Sequence, residues 1–406
     1  MREYRNRVLV VGAGPVGMVC ALALNRAGIK VTVFEQEPAP VHDQRAASIH
    51  PTTLEMLDEL NVTQAILPRG LVSETYQYRD RQTGELIAQF NLADLRDEFK
   101  FPFVLQYEQY KLTRDIAATY ANESDFDVRF SHRVTRVTER DDHVEVEVEG
   151  PGGKQLHTGE YIVGADGGRS TIRKVAGIVF EGFTYEENFV KIATAFDFQS
   201  AHPDYAYRNY FSDPDEWCNL FKVRGEGGPG LWRAIFPTRP GESAQDAASK
   251  RGIEARLQKF FPKQGAYEIA YANVYGVNQL VATTFRKGRV LLAGDAAHVN
   301  NPIGGMGMNG GIHDAVNLAH KLSQVMGRGG PDSLLDLYSR QRRHAATAFV
   351  QAQTIANKKM LEEKDEAARR AKFDEMKRIA GNRESARQFM RRASLLESLK
   401  TANAIA

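Results

Sequence analysis

Residues 289–318 read RVLLAGDAAHVNNPIGGMGMNGGIHDAVNL. An apolar run ends at Gly294-Asp295. A loop carrying Pro302, Gly304, Gly305 and Gly307 follows, and a helix is expected to open near Met308-Asn309. Glycine lets backbone N–H groups come close to a ligand and adopt conformations closed to other residues. A helix N-terminus adds unpaired N–H groups and a partial positive charge. Asp295, at a strand end, can accept hydrogen bonds from ligand hydroxyls. The chemistry on offer is the holding of an electron-rich group against bare backbone.

Two further segments repeat that logic. Gly12-Ala13-Gly14-Pro15-Val16-Gly17 follows an apolar run at 7–11 and precedes a helix expected over 18–27. Gly28 stops that helix, and a second strand at 30–34 ends in Glu35-Gln36. This is a β-α-β unit with G-x-G-x-x-G at its first turn and an acid at the end of its second strand. The glycines allow a tight turn and close approach to a pyrophosphate on the helix N-terminus, while Glu35 would accept ribose hydroxyls. The unit reads as dinucleotide-binding and does not by itself separate FAD from NAD. The third segment is Gly164-Ala165-Asp166-Gly167-Gly168-Arg169-Ser170-Thr171-Ile172-Arg173, after a short strand and before a helix.

These three motifs, in this order, resemble the class A flavin-dependent aromatic monooxygenases, the para-hydroxybenzoate hydroxylase-like family. Along 84–88 and 109–113 the likeness is strongest to its para-nitrophenol 4-monooxygenase-like members. The resemblance implies an α/β protein: a Rossmann-type (GR2) FAD-binding fold with an inserted antiparallel β-sheet substrate domain and C-terminal helices. It implies non-covalent FAD, with NADPH or NADH and dioxygen as co-substrates. A phenol or hydroxylated heteroaromatic would be hydroxylated through a flavin C4a-hydroperoxide. In the family the Asp matching Asp295, next to Gly294, binds the ribityl chain. Residues matching Gly307, Met308 and Asn309, beside Gly305, approach the flavin ring around N1 and O2. Asp166, Gly167 and Arg169 would hold a turn near the pyrophosphates. Arg45, beside Ala46, matches an Arg that lies near FAD and helps bind the nicotinamide phosphate. Gln109 matches a Gln near the ribityl by its spacing to Leu112, with Gln106 as the alternative. Pro302 matches a proline beside the flavin, and His298 is assigned a structural role. No general base can be named.

The elements that must position these residues divide as follows: FAD-binding segments at 1–75, 101–174 and 285–330, substrate-domain strands at 76–100, a substrate β-sheet at 175–284, and C-terminal helices at 331–406. A β-meander is expected from the strands 128–130, 133–140 and 143–149. One helix is expected over 244–261, and another over 334–360. Trp217, Asn219, Phe221, Trp232 and Phe236 are pocket candidates, although large aromatics on sheets are more often core. Lys222, Arg224 and Arg233 could meet an acidic substrate. A Ser-Arg carboxylate clamp is not evident.

Composition bounds the rest. The 406 residues are 42% hydrophobic and 26% charged, with net charge +2, which is ordinary for a soluble globular protein and gives no nucleic-acid footprint. No apolar run reaches the ~18 residues of a membrane span. Cys20 and Cys218 suggest neither a metal site nor a disulfide framework. A cytoplasmic enzyme, monomer or homodimer, with a small aromatic substrate is expected. The other uses of such a fold are flavin-dependent halogenation, geranylgeranyl-reductase-like chemistry, or a flavin-bound interaction module without turnover. Gly230–Pro237 resembles the halogenase tryptophan motif with one tryptophan missing and the spacing off.

Overall fold

Contiguous apolar and β-branched residues in Arg7–Val11 and Lys30–Phe34 make two buried strands, paired in parallel within a six-stranded sheet. This computed structural model describes residues 4–42, 45–120, 123–327 and 329–406. The sheet runs in the order Arg286–Lys287, Val290–Leu292, Tyr161–Gly164, Arg7–Val11, Lys30–Phe34, Phe126–Arg129. All its pairings are parallel except the first. Parallel strands need covered faces, so they read as continuous apolar runs. The helix Pro15–Arg26 and the 22-residue helix Met306–Gly327 pack on each other over one face. The three strands Arg133–Glu139, Val144–Gly150 and Gly153–Gly159 cover the core with a valine face in which Val144, Val146 and Val148 are fully buried.

That meander differs from the expected one. Phe126–Arg129 leaves it and pairs in parallel with Lys30–Phe34, and the third antiparallel strand comes after the Pro151-Gly152 turn. Phe126 and Val128 are apolar enough to serve either sheet; tertiary pairing decides.

The second sheet has eight strands, ordered His298–Val299, Ile269–Ala282, Phe180–Thr194, Leu231–Pro237, Cys218–Val223, Arg208–Ser212, Thr75–Asp80, Leu86–Asn91. The hairpin at 75–91 therefore forms one edge of a sheet otherwise built from residues after 179. Its pairings are antiparallel apart from Arg208–Ser212 with Thr75–Asp80.

The helical regions also depart from simple readings. Two helices, Ala244–Ala248 and Lys250–Phe260, replace one, because Ser249 is extended and its hydroxyl caps the second by accepting from Gly252 N. The long helix is α-helical over Ser333–His344 and Ala352–Leu361, with a π-helical turn, Ala345–Gln351, between. Three more helices, Glu366–Gly381, Arg383–Ala393 and Leu396–Asn403, fold onto the body. Asn382 separates the first two by capping the second at Ser385 N. Phe389 stacks on Phe90 at 4.5 Å between centroids, and Arg387 pairs with Asp97 and Glu98. Among the described residues no helix is long and apolar enough to cross a membrane, and no cluster of residues could hold a metal ion.

Candidate active site

The three motifs meet through backbone. A Cβ at Gly12 would stand 2.5 Å from the Ala165 carbonyl oxygen, and one at Gly17 would stand 1.9 Å from that of Gly12. One at Gly311 would lie 2.9 Å from Gly294 Cα. Gly12 and Gly294 also hold φ of +101° and +62°, where other residues are strained. Gly17 and Gly294 are thus packing glycines, buried beneath the site rather than lining it.

Above this junction opens a cleft of about 1190 Å³. Ordinary small-molecule pockets are ~300–1,000 Å³, so there is room for a dinucleotide and a small aromatic ring. One side is lined by Gly12, Gly14, Pro15 and Val16 of the first turn and by Glu35 and Gln36 at the second strand end. Arg45, Ala46 and Gln109 continue it, then Asp166, Gly167 and Arg169, then Asp295, Gly305, Gly307 and Met308. Pro302 lines it too. The other side is the eight-stranded sheet.

The local geometry explains why these side chains stand where they do. Asp166 accepts from Ser170 Oγ at 2.5 Å, Thr171 N at 2.7 Å and Ile172 N at 3.1 Å, so it caps the helix Thr171–Val175. Burial raises its pKa against those hydrogen bonds. Arg173 donates to the carbonyls of Gly168 and Ala296, both at 2.9 Å, and so ties the Gly164–Arg173 motif to the glycine-rich segment that begins at Gly294. Glu35 accepts from Ala13 N at 2.7 Å, which fixes the acid beside the first turn. Gln109 and Ala46 bond reciprocally, Gln109 N to Ala46 O at 3.0 Å and Ala46 N to Gln109 Oε1 at 3.4 Å. Gln106 is fully buried and accepts from Ser48 Oγ, which leaves Gln109 as the residue in the cleft.

This lining suits FAD. The helix Pro15–Arg26 starts without a side-chain cap, so its first N–H groups face the cleft's glycine turn. A carboxylate waits one strand away at Glu35 for ribose hydroxyls. Residues 5–353 match the family described as FAD binding domain.

The chain belongs to that family. It is 36% identical over 394 residues to para-nitrophenol 4-monooxygenase of Pseudomonas sp. (strain WBC-3), covering 96% of this chain and 95% of that one. It is 31% identical over 369 residues to 6-hydroxy-3-succinoylpyridine 3-monooxygenase HspB of Pseudomonas putida, covering 87% and 88%. The crystal structure of p-nitrophenol 4-monooxygenase PnpA from Pseudomonas putida matches with a TM-score of 0.90 and 32% identity over 97% of both chains. This chain is an FAD-dependent aromatic monooxygenase.

Several residues singled out in the sequence of this flavoprotein stand away from the cleft. Asn309 is buried and clamps the loop: its Oδ1 accepts from His50 N at 2.9 Å, and its Nδ2 donates to Ser48 O and Gly305 O at 2.8 and 2.6 Å. Trp217 packs at 4.9 Å on Phe189 in the sheet's core. Trp232 donates to Asp197 at 2.7 Å, and Phe236 is fully buried; both belong to the cluster beneath Lys250–Phe260. The three aromatics are core residues and do not line the cleft. Asn219 and Phe221 do line the cleft. Lys222 pairs with Asp197, Arg224 donates to Pro68 O, and Arg233 stands 3.9 Å from Glu108, so none of the three cations lines it.

The sheet residues that do, beside Asn219 and Phe221, include Lys191, Arg208, Tyr210 and Tyr275. Their signal was faint: a cation at one alternate position of an otherwise apolar strand. Lys191, Ile235, Asn219 and Tyr210 form one cross-strand row through four separate strands.

His298 serves the scaffold. Its Nε2 lies 2.8 Å from Asp314, which also accepts from Arg342 Nε at 2.6 Å and Gly294 N at 3.0 Å. Burial pushes the Asp314 carboxyl up, but the interactions with His298 and Arg342 outweigh it and hold it below the usual range.

Proposed function

We propose that this FAD-dependent enzyme hydroxylates a phenol or hydroxylated heteroaromatic, with NADPH or NADH and dioxygen as co-substrates. The observation that carries the reading is the two-sided cleft, glycine backbone on one side and a polar-aromatic sheet on the other. The named relatives act on para-nitrophenol and a hydroxylated pyridine, which are ionisable hydroxyarenes.

When bound, FAD supplies the oxygen-transfer chemistry. The chain supplies position. Helix N–H groups after Gly14 hold the pyrophosphate, Glu35 the ribose, Asp295 the ribityl hydroxyls, and the backbone at Gly307-Met308 the ring system. Arg45 and Arg169 serve the nicotinamide nucleotide's phosphates. Pro302 borders the reacting ring. Its loop is held from behind by Asn301, which donates to Thr354 O at 3.0 Å and accepts from Ile303 N at 3.1 Å. Phe221 and Ile235 pack against the substrate.

The test is NADPH and NADH consumption by FAD-loaded protein with and without a panel of phenols. Strong stimulation by one phenol, with hydroxylated product matching the reductant used, is expected. No stimulation by any phenol with either nucleotide sinks the proposal.

A further inference from the structure

Both neighbours of Pro302 are held from behind by the core. Asn301 is fully buried, and its backbone N–H donates to Gln279 Oε1 at 2.9 Å. Its side chain donates to Thr354 O at 3.0 Å and accepts from Ile303 N at 3.1 Å. Gln279, 2% exposed, donates in turn to the Thr354 hydroxyl oxygen at 2.9 Å. That hydroxyl donates to Val350 O at 2.8 Å. One turn further along the helix, Asn357 donates to Ile303 O at 3.3 Å. Gln279, Asn301 and Thr354 thus join a strand of the sheet, the Pro302 loop and the C-terminal helix. Apolar side chains of the same volume would pack there without the cost of desolvating amides and a hydroxyl. A buried polar network whose members are bonded to one another fixes one arrangement instead. The arrangement fixed here is that of residues 301–303, which carry Pro302 to the cleft.

A second observation lies in the helix itself. The turn before Thr354 is π-helical, Ala345–Gln351. Such turns are rare and are frequent at functional sites. The extra residue per turn re-aims the side chains that follow it. Here Gln351 Nε2 donates to Val299 O at 2.9 Å, at the end of the short strand that leads into the loop. On the loop's other flank Asn309 donates to Gly305 O. The loop is therefore gripped from the motif side and from the C-terminal helix together.

We propose that Gln279 and Thr354 are positioning residues for the hydroxylation: through Asn301 they fix where Pro302 stands in the cleft, and so decide how much of the reductant's electron pair ends in product. This rests on the hydroxylase reading and goes beyond it. In a coupled turnover NADPH supplies the electron pair, one atom of dioxygen forms the new C–O bond, and the other leaves as water. In an uncoupled turnover the same pair reduces dioxygen to hydrogen peroxide, and no C–O bond forms. A loosened loop admits water and misplaces its partner ring, which favours the second course.

The experiment compares FAD-loaded parent, Thr354→Val, Thr354→Ser and Gln279→Met. Thr354→Val keeps the shape and removes the hydroxyl; Thr354→Ser keeps the hydroxyl. Gln279→Met removes the same bond from its other end and serves in place of Thr354→Val if that variant fails to hold FAD. Peroxide and product are measured per NADPH consumed, with a phenol that the parent hydroxylates. The visible circular dichroism of bound FAD is recorded with neither substrate nor reductant present. Misplacement by ~1 Å costs up to about 100-fold in rate, so peroxide per product is expected to rise about tenfold in Thr354→Val and Gln279→Met. The flavin dichroism should change with it, the NADPH KM should stay, and Thr354→Ser should behave like the parent. Ile253→Val, in the separate core beneath Lys250–Phe260, controls for a general loss of stability and should stay coupled. Parent-like coupling and dichroism in both Thr354→Val and Gln279→Met overturn the proposal. So does a Thr354→Ser variant as uncoupled as Thr354→Val, or an Ile253→Val variant that uncouples equally. A parent that makes no product from any phenol sinks the hydroxylase reading; the dichroism then still decides the placement of the loop, and unchanged bands overturn it.

Discussion

On the motif side of the cleft, Gly12, Gly17, Gly294 and Gly311 bring three chain segments within 3 Å of contacts that a Cβ would occupy. On the sheet side, Arg208, Tyr210, Asn219 and Phe221 stand on two neighbouring antiparallel strands. On the proposed reading, the first side recognises a cofactor through backbone shape and the second a substrate through side-chain chemistry. The contrast teaches that the two should fail differently: the motif side by loss of fold and flavin, the sheet side by change of substrate.

The largest effect expected lies beneath the motif side. Asp314→Ala leaves His298 and Arg342 buried without their carboxylate, which costs about 3–5 kcal/mol. Denaturant unfolding reads this, and a loss below ~1 kcal/mol would show that the network is not holding the junction. Gly17→Val follows, at about 3 kcal/mol from overpacking, because its Cβ meets the Gly12 carbonyl at 1.9 Å. Purified protein should lose bound FAD in the absorbance spectrum; full flavin retention would break the comparison.

A pH effect comes next. Burial first, then nearby arginine charge, holds His50 at about 3 and His313 well below the usual histidine value. The unfolded chain, with histidine near ~6.5, takes up protons first as pH falls. Stability is thus full above ~6.5 and declines below it, by about 1.4 kcal/mol per pH unit for each histidine, until the folded pKa is reached. Between pH ~6.5 and ~5 this is about 2 kcal/mol for His50 alone. Stability measured against pH should differ between the parent and His50→Gln by that amount over this range, and identical slopes would refute the assignment.

The smallest stability change is expected on the sheet side. Asn219→Ala deletes a carbonyl that bonds nothing in the protein, so stability should stay within ~1 kcal/mol. Phenol KM should still rise about tenfold, a ~1.4 kcal/mol loss of binding. A fall in thermal stability with KM unchanged would make the two sides alike.

Much of the flavin side was legible because its requirements are local. A positive-φ glycine, an uncapped helix start and an acid at a strand end lie within one continuous β-α-β unit, as in Gly12–Glu35. The choice between Gln109 and Gln106 was not legible, since the two stand three positions apart, one ending a strand and one opening a helix, and only the pairing of Ser48 with Gln106 buries one of them. The sheet side was legible only as alternation. Trp232, Ala234 and Phe236 share one face, and Arg233 and Ile235 the other. The strand's own sequence does not say which face meets the cofactor.

What the sequence determined by itself is the cofactor, the family and the order of elements, because backbone geometry near a phosphate is written in contiguous residues. What only the tertiary structure decided is the substrate wall. Lys191, Asn219 and Tyr210 come from three separate strands, and cross-strand register, through Ile235 of a fourth, places them in one row. The same is true of the hold on Pro302: Gln279, Asn301 and Thr354 meet because a strand, a loop and a helix pack together, and no local sequence contains that meeting.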